Sequence, residues 1–160
     1  MCNGKELIKK LLKEGTTMLK NQLATPQDYH LILSIWEKSA LATHDFLSPN
    51  DLDFYKEQIP KFLDHVELRV WSIDGQQPIG FSGTSDNELD MLFLDPEKIG
   101  GGYGHQILTW LIEHKQINKI DVNEQNHRAK DFYLKHGFKI VSRSERDGFD
   151  KPYPILHLEK

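Results

Sequence analysis

Leu92-Phe93-Leu94-Asp95-Pro96-Glu97-Lys98-Ile99-Gly100-Gly101-Gly102-Tyr103-Gly104-His105-Gln106-Ile107-Leu108 is the stretch that decides how this chain is read. The apolar run up to Leu94 suits a strand, and Pro96, which has no amide hydrogen for a ladder, ends it. Ile107, Leu108, Leu111 and Ile112 then recur at helical spacing, so a helix begins near Gly104. Gly100, Gly101, Gly102 and Gly104 fill the junction. A strand-to-helix junction exposes backbone N–H groups at the positive end of the helix, and residues without a Cβ let an anion approach them. The stretch is therefore a phosphate-cradle candidate. Two common cradles fail on spacing. No Gly-Lys-Ser/Thr follows, which removes the P-loop. G-x-G-x-x-G would need glycine where His105 or Ile107 stands, which disfavours a dinucleotide-dependent enzyme.

Upstream of the junction the pattern has period two. Val66, Leu68, Val70 and Trp71 form a strand that turns at Asp74-Gly75 into Ile79-Gly80-Phe81, and Glu88 to Leu94 adds another. Glu88, Asp90, Leu92 and Leu94 share one side of that strand by alternation. Earlier still, Thr25-Pro26-Gln27-Asp28 and Ser48-Pro49-Asn50-Asp51 each combine an N-cap with a proline at the first helical position. Two helices follow, the first burying Tyr29, Ile32, Ile35, Trp36 and Ala40 and ending about Leu41, the second ending near Pro60. Met18 to Leu23 reads as a short strand before them. Downstream come a strand at Ile117–Val122, a helix with Ala129, Phe132, Tyr133 and His136 on one face, and strands at Phe138–Val141 and Tyr153–Leu158. This order predicts an α/β (α+β) single domain over residues 18–160, its mixed central β-sheet flanked by helices.

Residues 1–17 are predicted to be an N-terminal helical extension, with Leu7, Ile8, Leu11 and Leu12 on one face and lysines around the other. Residues 1–20 hold five lysines and two glutamates, a net +3, which leaves −7 on the other 140. The segment reads as a docking helix, and a homodimer contact is one use for it. Over all 160 residues the net charge is −4, which lacks the basic footprint of a nucleic-acid binder. The one cysteine, Cys2, has no partner for a disulfide or for zinc, and no apolar run approaches a membrane span. A cytoplasmic protein with no membrane or nucleic-acid partner is expected. The eight histidines are dispersed without metal-ligand spacing, so no metal is expected. No nucleophile elbow or other hydrolase signature surrounds the serines.

The glycine loop after Leu92-Phe93-Leu94-Asp95-Pro96, taken with Asn126-x-x-Ala129-x-x-Phe132-Tyr133-x-x-x-Gly137-Phe138, resembles motifs A and B of the GNAT superfamily of N-acetyltransferases. Ala42-Thr43-His44-Asp45-Phe46-Leu47, Val122-Asn123-Glu124-Gln125-Asn126 and Lys151-Pro152-Tyr153-Pro154 are similar to a small bacterial subgroup, the YjaB type. The resemblance covers roughly residues 18–158. It implies a GNAT fold and the transfer of an acetyl group from acetyl-CoA, the co-substrate, to a primary amine by direct attack. The acceptor stays open among a small-molecule amine, an amino acid and a protein amine. The alternative is a catalytically weak acyl-CoA sensor, because the loop has Ile99 where the family usually carries Arg or Gln.

The resemblance also distributes roles. Gly100, Gly101, Gly102, Tyr103, Gly104 and His105 would hold the pyrophosphate, with Lys98 or His105 supplying charge. The backbone of Leu92 and Leu94 would pair with pantetheine, and Asn126 would contact it unless it only caps the helix. Tyr133 is the candidate general acid, since Phe132 already fills the core position beside it. Asp90, then Glu88, are the candidate bases; the bland alternative for both is a solvated strand end. His44, Asp45, Phe46 and Tyr153 would line the acceptor pocket.

Overall fold

The computed structural model describes residues 18–75 and 77–160, so the helix predicted over residues 1–17 lies outside the described residues. Its strands are β1 (Leu19–Leu23), β2 (Glu67–Ile73), β3 (Gln77–Ser85), β4 (Glu88–Leu94), β5 (Lys119–Asn123), β6 (Lys139–Ser144) and β7 (Ile155–Glu159). They form one sheet in the order β1-β2-β3-β4-β5-β7-β6, antiparallel except where β4 lies beside β5. The helices among the described residues are α1 (Tyr29–Thr43), α2 (Pro49–Phe62), α3 (Tyr103–Lys115) and α4 (His127–Lys135). Ser48 caps α2 by accepting the Asp51 amide at 3.2 Å, and the helix runs two residues beyond Pro60, whose ring sits in the last turn. No helix among the described residues is long and apolar enough to cross a membrane.

The sheet is covered on both faces. Ile107, Leu108 and Leu111 of α3, with Tyr133 of α4, pack against Trp71, Ile79, Leu89 and Ile120. On the other face Ile32, Ile35, Trp36 and Ala40 of α1 cover Leu68, Val70, Phe81 and Met91. Val70 and Trp71 are neighbours in sequence yet belong to different faces, as the alternation along a strand requires. Trp71 satisfies its buried indole N–H by donating to Ser82 Oγ at 2.9 Å.

Two irregularities in β4 shape the site. Only Glu88 with Lys119 and Leu89 with Ile120 are paired between β4 and β5, so beyond them the two strands part. On its other side the β4 register shifts against β3, with Gly83 opposite Met91 but Thr84 opposite Leu89. Asp90 is the extra residue, and a bulge interrupts the alternation of side chains. Leu89, Leu92 and Leu94 consequently join the α3 face while Met91 and Phe93 join the α1 face. This corrects the strand side read from period two: Leu89, rather than Glu88 and Asp90, continues the side of Leu92 and Leu94. Gly80 keeps β3 close to the end of β4. A Cβ there would lie 2.6 Å from the Phe93 carbonyl oxygen and 2.7 Å from Leu94 Cδ2.

Candidate active site

Where β4 and β5 part, a groove of about 370 Å³ opens between Leu92–Leu94, the glycine loop and α4. The loop leaves β4 through a short 3₁₀ turn at Pro96–Lys98, which Asp95 caps by accepting the Glu97 amide at 3.0 Å. Gly102 is the N-cap of α3, whose first residue, Tyr103, lies one residue ahead of the start expected from sequence. Gly102 has φ 84° and ψ 0°, a left-handed conformation that disfavours any residue with a Cβ, and open space lies where that Cβ would be. Among the described residues no side chain caps this end of α3, and the first-turn amides of Tyr103, Gly104 and His105 have no intrahelical partners. Gly100, Gly102, Gly104 and His105 line the groove, whereas Lys98, Gly101 and Tyr103 do not. Tyr103 packs against the core.

A cation that sequence reasoning missed stands at the loop. Arg128, in the first turn of α4, lines the groove, and its guanidinium lies 3.5 Å from where a Cβ on Gly100 would be. The available signal was the cap: Asn126 Oδ1 accepts the Ala129 amide at 3.2 Å, so α4 starts there and Arg128 falls at the end turned to the groove. Asn126 also lines the groove, and the bond used for capping leaves its side-chain N–H groups over. Nearby, His136 Nδ1 lies 2.7 Å from the Phe132 carbonyl and His136 Nε2 2.7 Å from His105 Nδ1. A carbonyl only accepts, so in the neutral pair His136 donates from Nδ1 and accepts at Nε2 the proton of His105 Nδ1.

Tyr133 lines the groove with a ring that is 8% exposed, packed between Phe132 and Phe138 at centroid distances of 5.2 and 6.2 Å. Its hydroxyl makes no hydrogen bond among the described residues, and burial pushes the phenol up, so it keeps its proton at neutral pH. Glu88 and Asp90 line neither this groove nor the cavity on the α1 side of the sheet. They stand at the end of β4 where it still pairs with β5, or next to it. Asp90 Oδ2 accepts a 2.5 Å bond from Ser85 Oγ. Burial raises its pKa against that bond, with Asp121 and Asp86 adding to the rise; burial, Asp121 and Asp90 likewise raise Glu88.

A second cavity, of about 230 Å³, lies on the α1 side of the sheet between Trp36, Tyr55, Phe93, Asp147 and Phe149. His44, the residue that ends α1, and Phe93 line both cavities. Of the other residues expected to wall an acceptor pocket, Asp45, Phe46 and Tyr153 line neither. Asp45 is exposed, and Phe46 packs between the rings of His44 and Tyr153 at 5.3 and 6.0 Å. The Tyr153 hydroxyl donates to Asp51, whose other oxygen takes Lys151 Nζ at 2.8 Å, so Tyr153 ties the approach to β7 onto α2. The second cavity is walled by Asp147 and Phe149, in a β6–β7 loop with no periodic pattern to announce it.

Desolvation lowers the His44 imidazole to about 4, although the Asp45 charge opposes it. The folded value lies below that of the unfolded chain, near 6.5, so the unfolded chain takes the proton first and stability falls as pH drops from about 6.5 toward 4. For a half-buried ring this loss is on the order of 2 kcal/mol. His44→Asn, which carries no titrating group, should lose less stability than the parent between pH 7 and 4.5. Urea midpoints at both pH values measure the difference, and equal acid sensitivity in the two proteins would contradict it.

Residues 67–140 match the family described as acetyltransferase (GNAT) domain. Over 127 residues the chain is 39% identical to the peptidyl-lysine N-acetyltransferase YjaB of Salmonella typhimurium, covering 79% of this chain and 88% of that protein. The solution structure of apo-form YjaB from Escherichia coli superposes with a TM-score of 0.82 at 34% identity, covering 89% of this chain and 97% of that one. The PaiA N-acetyltransferase of Thermoplasma acidophilum, solved in complex with coenzyme A, shares the fold at a TM-score of 0.65 and 19% identity, over 89% of this chain and 99% of that one.

Proposed function

The chain belongs to the GNAT acetyltransferase family, and from that premise we propose that it moves the acetyl group of acetyl-CoA directly onto the amine of a protein lysine side chain. The observation that carries this reading is the parting of β4 and β5. Among the described residues it leaves the Leu92–Leu94 backbone unpaired on one side, and the groove it opens runs from the uncapped first turn of α3 to His44 and Phe93, where the second cavity begins. A donor with a charged head and an amide-bearing arm fits the first space; an amine on a flexible stem fits the second, apolar one. The relatives named as peptidyl-lysine acetyltransferases support lysine over other amines.

The residues fit the donor. The amides of Gly104 and His105, with the Arg128 guanidinium, suit a pyrophosphate, and the side-chain N–H groups of Asn126 and the Leu92–Leu94 backbone suit amide groups. Tyr133 offers its hydroxyl proton to the departing sulfur. Glu88 and Asp90, away from both cavities, are assigned no proton transfer. The catalytic unit in this proposal spans residues 18–160, with residues 1–17 as an extension. The sensor alternative rests on the missing cation at Ile99, and Arg128 brings one to the same loop.

Thermal shifts with acetyl-CoA, CoA, NAD and ATP, followed by mass-spectrometric transfer assays on a lysine peptide, spermidine and free amino acids, test the proposal. Acetyl-CoA and CoA should stabilise the protein and the peptide should gain one acetyl group. Stabilisation by NAD or ATP alone would overturn it. Arg128→Ala should weaken acetyl-CoA binding about 10-fold at low salt, less as ionic strength rises. An affinity equal to the parent's at every salt concentration would remove Arg128 from the site.

A further inference from the structure

His44 stands where the two cavities meet, and a pair of hydrogen bonds fixes which of its nitrogens carries the proton. Thr43 Oγ1 lies 2.7 Å from the Ser39 carbonyl oxygen and 2.8 Å from His44 Nδ1. The threonine hydroxyl has a single proton, and a carbonyl can only accept, so that proton goes to Ser39. The contact with His44 then needs a proton from Nδ1. In the neutral ring Nε2 is left bare, with a lone pair available to a group at the junction. The ring itself is held by its position at the end of α1, where its amide donates to Ala40 O at 2.8 Å, and by contact with Phe46 and Phe93 at centroid distances of 5.3 and 6.1 Å.

We infer that His44 Nε2 accepts the proton the incoming amine must give up, and that Thr43 and Ser39 serve as its positioning residues. The inference rests on the acetyl-transfer reading above. As the C–N bond forms, one amine proton passes to Nε2. The C–S bond breaks with its electron pair on sulfur, and the sulfur takes the proton of the Tyr133 hydroxyl. The imidazolium and the phenolate left behind are restored by proton transfer through water, so charge and protons balance over one turnover. Burial, which keeps the ring neutral down to about pH 4, leaves Nε2 open across the physiological range.

Two measurements test this. In the parent protein, imidazole nitrogen NMR should find His44 protonated at Nδ1 and bare at Nε2; the opposite tautomer would overturn the inference. With acetyl-CoA and a lysine peptide as substrates, His44→Asn, which keeps an N–H for Thr43 but lacks the distal nitrogen, should turn over about 10²-fold more slowly with a KM for acetyl-CoA within a few fold of the parent's. Added imidazole should partly restore His44→Ala, a rescue that a packing role would not give. Parental turnover in a folded His44→Asn, beside an active parent, would sink the inference alone. A parent that transfers no acetyl group to the peptide would sink the functional reading and this inference with it.

Discussion

Tyr133→Phe should lower turnover by about 10²–10⁴-fold while leaving acetyl-CoA affinity within a few fold of the parent's, because it removes one oxygen and nothing else. The ring would stay between Phe132 and Phe138, and since the hydroxyl has no hydrogen-bond partner among the described residues, no protein group is left unsatisfied. Burial makes this phenol hard to ionise in the free protein. It therefore arrives at each turnover with its proton, and what it can do is give that proton to a sulfur leaving with negative charge. Steady-state kinetics at pH 7 to 10 on a variant of unchanged thermal stability decide the matter. Parental turnover across that range would make Tyr133 a core aromatic and pass the acid role to water or another residue.

The second large effect is expected at the glycine loop. Gly102→Val places a β-branched side chain at φ 84°, at a cost of about 1–2 kcal/mol in backbone strain, and the side chain would stand in the open space before the α3 amides. Each charge-assisted hydrogen bond blocked there removes about 1.5–3 kcal/mol. The strain lowers stability rather than affinity, and blocking two such bonds predicts acetyl-CoA binding at least about 10²-fold weaker. Since Gly102 lies at the surface and a Cβ there meets no neighbour within 4 Å, the fold should survive. Calorimetric titration of a folded variant is the check, and parental affinity would mean the pyrophosphate lies elsewhere.

The glycine loop and the inward face of α4 were legible because both are local patterns: a cluster of residues without Cβ, a cap, a run of apolar side chains at helical spacing. The β4 bulge was not. One extra residue opposite Thr84 and Gly83 is decided by pairing with β3, and a strict alternation carried across it put Glu88 and Asp90 on the wrong side. Ile117 misled in a milder way. It is 1% exposed and reads as strand, yet β5 starts at Lys119, since burial and ladder pairing are separate demands. Arg128 was overlooked because a surface cation carries no period. Asp147 and Phe149 reach the second cavity through a loop whose position depends on contacts such as the bond from Tyr55 to Asp147, 92 residues apart in sequence.

An ordinary open sheet has two margins where backbone goes unmatched; the parting of β4 from β5 gives this one a third, in its middle. The β1-β2-β3-β4 and β5-β7-β6 portions are thus two plates, riveted by two residue pairs and clamped by the helices across them. Separating the plates disrupts fewer backbone bonds than breaking either one, and what resists it is the α3-side core, which draws Trp71, Ile79 and Leu89 from one plate and Ile120, Val122 and Leu158 from the other. An occupant that supplies the absent rungs of the ladder welds the plates, and it does so only while it is bound.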